Sequence, residues 1–114
     1  MKFYEEKQYI GFANNDIKKQ KLKMYKQQYK EQGFDDTVTW SLDRAMILWL
    51  YPRLKRYYEI AFEIIDEPEL ESDIEQILKV FNIYLNKEDL NKEEFVEFNK
   101  GLKLLFKNFH KLWW

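Results

Sequence analysis

The chain has 114 residues, no cysteine and a formal net charge of −1. That length supports one domain with a single core and needs no staple, and the missing thiols exclude disulfides, thiolate metal sites and cysteine nucleophiles. Only three glycines and two prolines are present against 18% aromatic residues, which argues against a turn-rich sheet fold and for helices with broad flat side chains.

Charge is distributed in blocks. Residues 1–32 carry +4, residues 33–58 carry +1, residues 59–97 hold thirteen acids against three lysines, and residues 98–114 return +4. Such blocks read first as solvated helix faces attracting one another, and second as separate basic and acidic surfaces for partners.

Residues 1–14 alternate loosely between aromatic and polar and read as an arm or a short strand, not as a signal peptide. Asn14 or Asn15 can cap a basic helix over 16–31, whose lysines at 18, 19, 21, 23, 26 and 30 surround an incomplete stripe of Ile17, Leu22, Met24, Tyr25 and Tyr29. Its lack of arginine favours a solvated face over a nucleic-acid or membrane surface. Gly33 suits the left-handed position that ends a helix.

Asp36, Thr37, Thr39 or Ser41 can start the next helix, expected over 40–66, with Ile47, Leu50, Leu54, Tyr57, Ala61 and Ile64 or Ile65 as its buried stripe. Between 45 and 51 it is apolar on every side, so it is the central helix, and Pro52 predicts a kink or break near 49–51. The Ser72/Glu75 and Asn91/Glu94 pairs are capping boxes that predict helices over 73–85 and 92–112. In the last of these Phe95, Phe98, Leu102, Leu105, Phe109 and Leu112 form an a/d seam, fit for a bundle or for a partner. The expected fold is therefore all-α: a compact bundle of about four helices with a central proline-kinked helix and a short N-terminal arm.

Catalytic sets are missing. The single histidine, His110, has no partner in the pattern, no phosphate-binding glycine loop exists, and Asp35, Asp36 and Asp43 read as caps and dipole-complementing charges rather than metal ligands. No cofactor is expected. The constellation of interest is Trp40, Asp43, Trp49, Arg53 and Tyr57. A guanidinium among aromatic rings suits stacking or pairing with a carboxylate or phosphate. The same residues also read as an internal Asp43–arginine pair with Arg53 lying over Trp49 or Tyr57.

Gly33-Phe34-Asp35-Asp36-x-x-x-Trp40-Ser41-Leu42-Asp43, followed by Pro52-Arg53-Leu54-Lys55-Arg56-Tyr57, resembles a family of small uncharacterised bacteriophage and prophage proteins. Those proteins read G-[FY]-x-x-x-x-x-W-x-L-D, an apolar run, and P-R-L-K-x-[FY]. The segment from Asn99 to Trp113 is similar to their C-terminal ending. The chain departs at Arg44-Ala45, where the family often has an aromatic and a hydroxyl residue, and at Trp49, where it often has Phe. The resemblance implies phage origin and a setting in the cytoplasm of a bacterial host. It implies no reaction.

These readings lead to a non-enzymatic accessory protein that binds a host protein or a small nucleotide-like ligand and modulates host or anti-phage defence. Alternatives are a structural homo-oligomer joined through Phe95, Phe98, Leu105, Phe109, Trp113 and Trp114, or a weak nucleic-acid binder. The longest apolar run is too short to cross a bilayer, so no membrane partner is expected.

Overall fold

The computed structural model describes residues 16–114. These are all-α: helices α1 (Asp16–Gln32), α2 (Leu42–Ala61), α3 (Pro68–Leu85) and α4 (Lys92–Lys107), with 3-10 turns at Asp36–Thr39 and Phe109–Lys111 and no strand among the described residues. The proposed arm or strand over 1–14, and the caps Asn14 and Asn15, lie outside the described residues. The chain divides into two units between Ala45 and Met46, inside α2.

In the first unit, α1 ends where Gly33 takes φ +84° and its amide donates to the Tyr29 carbonyl at 2.9 Å. That backbone conformation costs a residue with a Cβ about 1 kcal/mol or more, which is why glycine sits there. The 3-10 turn is capped by Asp35, whose buried carboxylate accepts from the Thr37 amide at 2.8 Å and from the Thr37 hydroxyl. Gln28 of α1 clasps the turn: its side-chain amide donates to Asp36 Oδ2 and accepts from the Asp36 amide, both at 3.0 Å. Tyr25, buried, meets the Trp40 ring edge-on at 6.1 Å. Burial, then the charges of Asp36 and Asp35, raises the Tyr25 phenol pKa above its ordinary value.

In the second unit, α3 and α4 form an antiparallel hairpin. Tyr84, near the end of α3, stacks on Phe98, near the start of α4, at 4.6 Å, while Asp73 and Glu69 at the opposite end reach Lys107. The core joins Ile47 and Leu54 of α2, Leu70, Ile74, Ile77, Val80 and Phe81 of α3, and Leu105 of α4. Burying each such side chain contributes about 1.5–3 kcal/mol, so this cluster holds the unit together.

Boundaries differ from expectation at several helix ends, and α2 begins at Leu42 rather than 40, after the 3-10 turn. α2 stops at Ala61 rather than 66, because the chain turns on amides of 63, 64 and 65 that bond back to the Ile60 and Ala61 carbonyls. α3 begins at Pro68, five residues before the expected start at 73, with Glu69 and Glu71 in its first turn. Proline needs no amide partner there and the acids complement the dipole. α4 ends at Lys107, with Asn108 as its C-cap, and the 3-10 turn carries the chain onward. Across Pro52, α2 is helical without interruption. The buried Ile47 and Leu54 anchor it on both sides of the lost amide.

Candidate functional site

At 100° per residue, Ile47, Leu54 and Ala61 share one side of α2, and Met46, Trp49, Arg53 and Arg56 share an arc of about 80° centred some 120° away. That second arc is open to solvent: Met46 is 62% and Trp49 51% exposed, and Arg53 and Arg56 are exposed too. The Arg53 guanidinium lies over the Trp49 indole, 4.3 Å from the ring centroid, and donates to the Trp49 carbonyl at 2.9 Å. Arg56 pairs with Glu59 one turn on, at 3.5 Å. The result is a flat, cationic and apolar strip on one helix face.

An exposed cation–π stack is worth roughly 0.5–1 kcal/mol. That is small beside the burial of Ile47 and Leu54, so α2 does not need the stack to stay attached. What the stack does is hold a long arginine and a large indole in one arrangement before anything binds. Preordering of this kind saves about 0.5–1.5 kcal/mol per side chain at an interface.

Tyr57 contacts the C-terminal segment. Its hydroxyl sits 3.2 Å from the carbonyls of both Lys111 and Trp113, fastening the C-terminal segment to α2, and its ring meets Phe62 edge-on at 6.0 Å. Burial raises its pKa above the usual phenol value. Beneath the fastened segment lies a cleft of about 260 Å³ lined by Ile65, Asp66, Glu67, Leu70, Lys111 and Trp113. Trp40 and Asp43 belong to the first unit. Trp40 is exposed but leans on Tyr25, and Asp43 is exposed in the first turn of α2, where its charge complements the helix dipole.

The six residues expected to join a homo-oligomer separate into two groups. Phe98 stacks on Tyr84, and Leu105 is buried in the core, so both face the chain's own helices. Phe95, Phe109, Trp113 and Trp114 are exposed, as is Phe106 at 70%.

Two features escaped the pattern. Met46 and Arg56 join Trp49 and Arg53, and helical phase counted back from Ile47 and Leu54 would have found them. Asn108 is 1% exposed, and its side-chain amide donates to Asp73 and to the Leu104 carbonyl, both at 2.9 Å. No sequence signal marks that bond, because its partner lies 35 residues away.

Among the described residues no group of three or more His, Cys, Asp or Glu is placed to hold a metal ion, and no helix is long and apolar enough to cross a membrane. No family model matches the chain, and no curated protein or solved structure matches it either. The phage-protein resemblance therefore rests on its motif residues alone.

Proposed function

We propose that this chain is a non-enzymatic binding protein, a phage-encoded accessory factor that docks on a host protein in the bacterial cytoplasm and modulates host or anti-phage defence. The observation that carries the docking is the exposed Met46–Trp49–Arg53–Arg56 face, with Arg53 stacked on Trp49 at 4.3 Å. Tryptophan, arginine and methionine are the residue types enriched at the centres of protein interfaces, and a cationic strip of them suits an acidic patch on the partner. The Gly33–Asp43 and Pro52–Tyr57 motif supports the phage setting.

The test is capture of a partner from infected host cells, followed by calorimetric titration of the purified partner with wild-type chain and with W49A/R53A. Loss of a central aromatic–arginine pair costs at least about 2 kcal/mol, or roughly thirtyfold in Kd. Equal titration of both proteins would remove this face from the account. A copurifying compound with the ultraviolet absorbance of a base, lost in the double variant, would instead make the ligand a nucleotide.

A second reading has its own observation. Phe106, Phe109 and Trp113 are 70%, 62% and 70% exposed near the end of α4, a concentration of apolar surface suited to a second copy of the chain. Light scattering checks it: a dimer that F106A/W113A converts to monomer supports self-association, and a wild-type monomer at high concentration removes it.

A further inference from the structure

Lys19, Lys23, Lys26 and Lys30 recur along α1 at spacings of four, three and four. At 100° per residue they fall within an arc of about 60°, and they extend over roughly 16 Å of helix. All four are exposed, while Tyr25, which anchors the helix to its own unit, is buried on another side. No carboxylate of residues 19–114 pairs with any of the four. The one acid in the last turn of α1, Glu31, lies off the stripe and accepts from Gln27 at 2.8 Å.

We propose that this lysine stripe is a sequence-independent nucleic-acid-binding surface that tracks a phosphate backbone. Four like charges in a row repel one another, and a row of this kind is stabilised by a ligand whose own charge is linear and repeating. One strand of a duplex presents a phosphate every 3.4 Å along the axis, so the stripe spans about five of them. Lysine heads are point charges on flexible stems that follow such a backbone without fixed geometry. With neither arginine nor an exposed aromatic in the row, the stripe reads no base and grips the backbone alone. The stripe shares no residue with the α2 face proposed for protein docking.

Fluorescence anisotropy of a labelled oligonucleotide duplex, titrated with the full chain at several salt concentrations, tests it. Four phosphate contacts give a log–log salt slope of about −3.6, so Kd weakens roughly 150-fold from 50 to 200 mM salt. Each Lys→Gln change within the stripe should flatten the slope by about 0.9, and the quadruple variant should abolish binding with its helical circular dichroism unchanged. K100Q/K103Q, off the stripe, and W49A/R53A should bind as wild type. No anisotropy change at low salt, or binding that survives the quadruple variant, would overturn the proposal. So would equal affinity and slope for a polyglutamate peptide, which would reassign the stripe to an acidic protein.

Discussion

Gly101 offers the sharpest check on how α3 and α4 pack. It is buried in the middle of α4, and a Cβ placed on it would run into Val80 Cγ2, with Val80 Cβ at 3.6 Å behind. Two effects compete in Gly101→Ala. Helix propensity favours alanine by about 1 kcal/mol, and overpacking a tight contact costs about 1–3 kcal/mol. The obstructing atom is a branched methyl on a helix, held near one rotamer, and it cannot swing aside as a flexible chain end would. Overpacking therefore wins, and G101A should lower stability by up to about 2 kcal/mol. Val80→Ala removes the obstruction while costing stability of its own through lost burial. In that background the sign reverses, and G101A should stabilise by up to about 1 kcal/mol, a coupling of about 1–3 kcal/mol. Urea unfolding of the four proteins of the cycle measures it. If G101A stabilises the protein in both backgrounds, the helices do not approach as closely as described and the reasoning fails.

Two further predictions follow from polar contacts in the same unit. Tyr58 donates to the Glu75 carboxylate, and that bond pushes the phenol pKa from 10.0 up to about 12. The folded state keeps this proton where the unfolded chain loses it, so the contribution is fully present below pH 10 and disappears as pH rises toward about 12. Wild type should therefore lose more stability than Y58F over that window in pH-dependent thermal melts, and parallel curves would count against the bond. Asn108→Ala leaves the Leu104 carbonyl and Asp73 without the amide that serves both, at a cost of about 1–3 kcal/mol. Asn108→Asp should cost more, because it sets two carboxylates against each other, and denaturant midpoints that rank the two variants in the opposite order would contradict the placement.

Much of the fold was legible because it rests on local chemistry. The Asn91/Glu94 capping box forms both of its bonds, and Gly33 takes the positive φ that its place after α1 suggested. Of Ile74, Ile77, Leu78, Phe81 and Leu85, which the spacing puts on one face, Ile74, Ile77 and Phe81 are buried and Leu78 and Leu85 partly so, and Leu70 extends the stripe one turn further. Misplaced ends trace to competition between signals: Pro68 with two first-turn acids begins α3 before Ser72 can, and Asn108 ends α4 through a bond to a distant aspartate. Arg53 lying over Trp49 was one of the readings their four-residue spacing offered, and the direction of Tyr57 was not legible. Arg53 and Tyr57, one turn apart, look like a pair, yet Arg53 turns back onto Trp49 while Tyr57 reaches the Lys111 and Trp113 carbonyls. Long-range partners of that kind leave no trace in spacing.

The claim that the exposed face of α2 docks on a protein is tested most directly by a photo-crosslinking residue placed at Met46 in the full chain and activated inside infected host cells. The account predicts one discrete adduct with a host protein, lost when R53E is added and absent when the same probe replaces Lys55 on another side of the helix. Equal adducts from both positions, or an adduct from Met46 that R53E leaves intact, would contradict it.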